Sequence, residues 1–111
     1  DQPYMIDAGG GRQMVSLLYS MEINDRSAFD RYYQGSDEFE LMIRRQFDTL
    51  YREGAESGRV MSISVHPINI GVPHRIWALE SGLDYIADHD DVWFATGAEI
   101  VDHYIKSGVT F

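Results

Sequence analysis

Helical and strand-like patterns alternate along most of this chain, and that alternation limits its fold more than any other feature. Phe39, Ile43, Phe47, Leu50 and Tyr51 recur at helical spacing, with Ser36 as N-cap, Asp37 and Glu38 at the positive end of the dipole, and Gly54 as a stop. An apolar run over 59–65 follows and ends abruptly in His66-Pro67. Pro73 suits the first position of a second helix, where its missing N–H costs nothing, and Ile76, Leu79, Leu83 and Ile86 make that helix's stripe. Residues 91–95 (DVWFA) read as another strand, and Thr96 and Glu99 have the spacing of a capping box. The last helix carries Ile100, Val101, Tyr104 and Ile105, and Gly108 closes it.

Upstream, residues 13–20 (QMVSLLYS) read as the first strand, and 21–35 as a loop with one short helix. Residues 1–12 are expected to be irregular, because Pro3 and the triplet Gly9-Gly10-Gly11 interrupt regular structure. The order strand, loop, helix, strand, helix, strand, helix implies right-handed crossovers and a parallel sheet, hence the α/β class. A (β/α) barrel uses about 250 residues for eight units, roughly 31 each. The 111 residues hold about three such units. The expectation is therefore a single domain over 1–111 that forms an incomplete barrel with parallel strands and two open edges. The chain opens on Asp1 and not on Met, so further residues are expected upstream.

Charge narrows the function classes. Eighteen acidic residues stand against nine basic ones, a net charge of −9. That disfavours nucleic acid, which needs a basic face, and anionic membrane surfaces alike. With no cysteine there is no disulfide, thiolate metal site or cysteine nucleophile. No apolar run reaches the roughly 18 residues of a membrane span and no signal-peptide pattern opens the chain, so a cytoplasmic protein is expected.

In parallel α/β folds the site lies beyond the C-terminal ends of the strands. That rule selects residues 19–25, 66–71 and 95–96. His66 is the one histidine among them, able to act as general acid or base near neutral pH, or else to be packed with both nitrogens satisfied by backbone. Glu22, Asn24 and Asp25 carry two readings. A carboxylate here could orient the imidazole or bind a polar substrate, or Asn24 or Asp25 could cap the short helix. His74, His89 and His103 lack the spacing that places two imidazoles on one helical face, so no metal site is expected from this chain alone. The acidic run 88–91 lacks calcium-loop spacing, and Gly9–Gly11 precede a strand, unlike a phosphate loop. Trp77 and Trp93 are expected in the core.

The stretches 18–30 (LYSMEINDRSAFD), 47–54 (FDTLYREG) and 59–104 resemble the C-terminal half of polysaccharide-deacetylase-like (NodB-homology) hydrolases, and within them the allantoinase or urate-catabolism branch. Asp1-Gln2-Pro3-Tyr4 also resembles an Asp-x-Pro-Tyr segment of those proteins. The resemblance implies a distorted (β/α) barrel that hydrolyses non-peptide C–N bonds, such as N-acetyl groups or cyclic amides. It implies that His66, in Val65-His66-Pro67, serves as catalytic acid. Tyr19, Glu22 and Asn24 match a loop facing the same pocket, where Glu22 stands in place of the usual Asp. The family's metal-binding Asp and His-x-x-x-His and its catalytic Asp belong to an N-terminal half that these residues do not include. This chain is thus expected to supply no cofactor ligands and to be inactive by itself, a divalent metal such as zinc belonging to the complete enzyme.

Two functions follow. The first is a C-terminal segment of such a hydrolase, taking a small-molecule or sugar substrate and requiring the missing half of the barrel. The second is a non-catalytic α/β domain that self-associates and binds a small polar ligand. Either way the open edges need a partner, the other half or a second copy, through strand edges or the helix face carrying Phe39, Phe47 and Tyr51.

Overall fold

The structure, a computed structural model, describes residues 1–19 and 21–108. Its three long helices are α1 (Ser36–Gly54), α2 (Ile76–Ala87) and α3 (Gly97–Lys106). α1 buries Phe39, Ile43, Phe47 and Leu50, and α2 buries Ala78, Gly82 and Ile86, each set recurring every three or four residues along one face. The two faces meet in a core shared with Ile23, Ala28, Phe29 and Ile70. Each fully buried Phe or Ile contributes about 1.5–3 kcal/mol of transfer free energy. Phe39 and Phe47 are thus used inside the domain, and only Tyr51 remains half-exposed from the helix face expected to mediate association.

Polar contacts hold the same helix pair at its rim. Arg44 pairs with Glu40 one turn away and donates to Ser81 Oγ on α2. The Tyr85 hydroxyl donates to Asp48 Oδ1 at 2.5 Å, and this bond to a carboxylate raises the phenol's pKa. His89 lies against the rings of Phe47, Tyr51 and Tyr85 just past α2.

The helix ends follow the sequence closely. Thr96 Oγ1 accepts from the Glu99 N–H, while Glu99 Oε2 accepts from the Thr96 N–H at 2.7 Å, which completes the capping box on α3. The Thr96 backbone bond holds the Glu99 carboxyl below its ordinary value of 4.5. A depressed carboxylate stabilises the fold above its unfolded-state pKa, and that contribution fades as pH falls through the lower folded value. Gly35, not Ser36, is the N-cap of α1, its N–H donating to Glu38 Oε2 at 2.6 Å. α2 begins three residues after Pro73, beyond a turn in which the Arg75 and Ile76 N–H groups both donate to the Val72 carbonyl.

The strands depart from expectation. Residues expected to be irregular form β1 (Tyr4–Gly9), paired antiparallel with β2 (Arg12–Ser16) in the register Tyr4↔Ser16 and Ile6↔Met14. Gly9, Gly10 and Gly11 carry the reversal at φ +79°, +63° and +76°, so the triplet joins two strands instead of breaking one. β2 stops at Ser16, short of the strand expected over 13–20, whose Ser20 lies outside the described residues.

Neither 59–65 nor 91–95 forms a ladder strand among the described residues. Extended backbone becomes sheet only when a neighbour supplies donors and acceptors along its length. Among the described residues one parallel bridge, Asn24↔Ser64, and a lone bond from the Val60 N–H to the Asp1 carbonyl at 2.8 Å supply them for the first segment, and no backbone ladder joins 91–95 to a neighbour. The parallel sheet of three units therefore reduces to one bridge beside an antiparallel hairpin, in a mixed α/β chain. Trp93 is consequently 58% and Phe94 60% exposed, and Trp77 is half-exposed, so the tryptophans expected in the core are not there. Among the described residues no helix is long and apolar enough to cross a membrane.

At the α1–α2 crossing a Cβ on residue 82 would lie 2.9 Å from Ile43 Cγ2. Gly82→Ala is expected to destabilise the domain by about 1–3 kcal/mol through overpacking. The added variant Ile43→Val should recover part of the loss, as read by urea unfolding of the single and double variants.

Candidate active site

The one parallel bridge places the site. The Ser64 N–H donates to the Ile23 carbonyl at 2.8 Å and the Asp25 N–H to the Ser64 carbonyl at 3.1 Å. This pairing sets residue 25 beside residue 66, across 41 positions of sequence. Asp25 is fully buried, and its carboxylate accepts three hydrogen bonds. Oδ1 receives His66 Nδ1 at 2.7 Å, and Oδ2 receives the backbone N–H of His66 at 2.7 Å and of Ile70 at 3.2 Å. A buried carboxylate is tolerable because these donors replace its water.

The carboxylate thereby grips both ends of the turn 66–70, whose own closure comes from the Asn69 and Ile70 N–H groups donating to the His66 carbonyl. The chain folds back so tightly there that a Cβ on Gly71 would lie 2.4 Å from the Pro67 carbonyl oxygen. That close approach requires glycine. Pro67 starts the turn, where its missing N–H leaves no ladder bond unmade. His66-Pro67 ends the extended run because the backbone must turn to meet Asp25.

An acceptor on Nδ1 makes the neutral imidazole carry its proton there, which leaves Nε2 as the nitrogen open to a ligand. His66 lines a cleft of about 570 Å³ together with Tyr19 and Asn24. Three of the four residues singled out from the sequence thus share one cleft. Glu22 lines a neighbouring cleft with Met21, Gln34 and Met42 instead. Asn24 also shapes the chain that follows it. Its Oδ1 accepts from the N–H groups of Arg26 and Ser27 at 3.0 and 3.4 Å, capping the wide turn over Ser27–Arg31. The two readings of the Asn-Asp pair are both realised, one by each residue. Asn24 caps and Asp25 orients.

Arg26, Asp30 and Arg31 also line the His66 cleft and were not singled out from the sequence. The only hint was two arginines five apart immediately after Asn-Asp. His74, His89 and His103 lie outside this cleft.

Asp25→Asn replaces one accepting oxygen with a donor that faces N–H groups. The variant is expected to lose about 1–3 kcal/mol of stability and to release the His66 ring from its Nδ1–H tautomer. Urea unfolding reads the first effect and imidazole ¹⁵N shifts the second; an unchanged tautomer would remove Asp25 from the role of orienting group.

No protein-family model matches the chain. A protein of Schizosaccharomyces pombe described as "Putative polysaccharide deacetylase" is 34% identical, the match covering 90% of this chain and 34% of the relative. The crystal structure of Puue allantoinase superimposes with a TM-score of 0.89 at 31% identity, covering 96% of this chain and 36% of that one. The crystal structure of a "probable Polysaccharide deacetylase" from Pseudomonas aeruginosa PAO1 gives 0.87 at 32% identity with the same coverage. Over nearly its whole length the chain is similar to these polysaccharide-deacetylase and allantoinase proteins, and it spans about a third of their length.

Proposed function

We propose that the chain is the histidine-bearing, C-terminal part of a hydrolase of non-peptide C–N bonds, acting on an N-acetyl group or a cyclic amide such as allantoin. The observation that carries this reading is the imidazole of His66, fixed through Nδ1 by a buried carboxylate at the wall of a cleft. The likeness to an allantoinase and to deacetylases supports it.

The chemistry follows from that geometry. Water adds to the amide carbon, the C–N bond breaks, and its electron pair goes to nitrogen. An amide nitrogen leaves poorly unless it is protonated as it departs, and Nε2 of a doubly protonated His66 is placed to give that proton. Asp25 holds the ring's direction throughout. Tyr19 and Asn24 contribute the polar wall against which the substrate lies.

A divalent metal is implied by the resemblance, but the residues here do not fit one. Among the described residues no three His, Asp or Glu side chains converge. Nδ1 of His66 and both Asp25 oxygens are already engaged. No step is therefore drawn through a metal on this chain, and activation of the water falls to the rest of a complete enzyme.

In that complete enzyme His66→Ala is expected to lower hydrolysis by about 10²–10⁴-fold, and to cost about 1–3 kcal/mol of stability because the buried Asp25 carboxylate loses one of its three donors. Unchanged turnover with a lowered midpoint would reduce His66 to a packing residue.

The second reading, a self-associating domain without catalysis, is favoured by one observation. Val65, Ile68, Trp93 and Phe94 are all exposed, and the last two lie on a segment that pairs with no strand among the described residues. Either reading needs a partner, the rest of the barrel or a second copy, to cover this surface. The chain by itself is expected to be at least dimeric at micromolar concentration. Sedimentation equilibrium decides it, and a cooperative monomer would refute the open-edge argument.

A further inference from the structure

We infer that Arg26 and Arg31 form an anion-recognising rim on the His66 cleft, so that the substrate carries a carboxylate beside its scissile amide. The inference rests on the C–N hydrolase reading and narrows it to an N-acyl substrate bearing a carboxylate, which excludes the neutral cyclic amide allantoin. Its first support is charge. The chain carries twice as many acidic as basic residues, 18 against 9, yet the cleft that holds His66 is lined by two arginines and a single carboxylate, Asp30. Arg44 pairs with Glu40, and Arg59 with Asp1 and Glu53, while Arg75 lies over the Phe29 ring. Arg26 and Arg31 have no ion pair among the described residues, and Arg31 touches only the Tyr32 ring, 5.6 Å from its centroid. Arg12, Arg45 and Arg52 are likewise without ion pairs there, but none of them lines the cleft that holds His66.

Backbone geometry supplies the second support. In an α-helix two residues five apart point about 140° away from each other. The turn Ser27–Arg31 is instead a π turn, closed by the Tyr32 N–H donating to the Ser27 carbonyl at 3.0 Å. The wider turn rotates less per residue than an α-helix, which reduces the angle between positions five apart, and such turns occur frequently at functional sites. Arg26 precedes this turn as its N-cap and Arg31 ends it, and both line the one cleft.

Asp30 lines the cleft as well and offsets one of the two positive charges. Asp25 lies beneath His66 with both oxygens engaged. The rim therefore stays net positive by one charge on a protein of net charge −9. Guanidinium is the planar donor that matches a carboxylate with two parallel bonds. A neutral amide alone would give these groups nothing that water does not.

The test compares N-acetylglycine with N-acetylglycinamide, which differ only in carboxylate against carboxamide. Both are titrated into the full chain while the His66 ring and the arginine Nε resonances are followed. N-acetylglycine is expected to bind about tenfold more tightly at low ionic strength, a preference that shrinks at about 0.5 M salt. The double variant Arg26→Gln/Arg31→Gln should bring the two affinities to parity, with backbone amide dispersion verifying that it folds. Equal affinities in the unaltered chain, or a preference that survives in the double variant, would overturn the inference. Should both probes shift His66 equally, the arginine rim fails and the amide-site reading stands. Should neither shift His66, the amide-site reading fails with it.

Discussion

A carboxylate with no exposed surface is costly to fold, and the burial of Asp25 depends on the three donors that meet it. Two of those donors, the N–H groups of His66 and Ile70, come from a turn far away in sequence, and the third is the His66 ring. Satisfying the charge therefore fixes the path of 64–70 against 23–25 at the same time as it sets the imidazole. The structural and the chemical demands coincide. An apolar residue at 25 could fill the space, but it would leave two backbone donors unpaired and the ring free to rotate.

This explains why so much local chemistry concentrates around a single bridge. Asn24↔Ser64 is the one parallel contact among the described residues, and it lies next to the Asp25–His66 pair. A one-residue slip of that register would exchange the faces of residues 24 and 25. The cap on the wide turn and the anchor for His66 would be lost together. Gly71, closed against the Pro67 carbonyl, and Arg75, resting on Phe29 and donating to the Asn69 carbonyl, hold the other side of the loop.

What was legible in the sequence divides along the same physical line. The helices were readable because their signals are local: Phe39, Ile43, Phe47 and Leu50 at helical spacing, and Thr96 with Glu99 as a capping box. Strands were not, because an extended segment is defined by a partner that can lie anywhere in the chain. Residues 59–65 and 91–95 have strand composition, yet among the described residues only residue 64 of these finds a bridge partner. Gly9–Gly11 illustrates the reverse error: positive φ suits a hairpin reversal as readily as an interruption, and the pairing of Tyr4 with Ser16 decides between them. At the site, His66 could be picked out because its position after an apolar run is visible in one dimension. The division of labour between Asn24 and Asp25 depends on which of two adjacent side chains faces residue 66, and composition carries no record of that.

Three consecutive residues, Asn24, Asp25 and Arg26, end up in three different environments. The chain leaves the bridge at Asn24 and turns helical at Asp25, whose carboxylate goes inward while the Asn24 amide oxygen bonds the chain that follows. The Asn24 bonds to Arg26 and Ser27 begin the turn, and the turn's five-residue width then decides where Arg31 emerges relative to Arg26. The chain first makes an α-helical turn at residues 25 and 26, the Ala28 N–H donating to the Asn24 carbonyl at 2.9 Å, and widens only from Ser27. The wide turn is an irregularity with no evident packing advantage, since of its five residues only Ala28 and Phe29 are buried. Its consequence is felt at the cleft, where it adds positive charge beside His66 without requiring any further residue from a distant part of the fold.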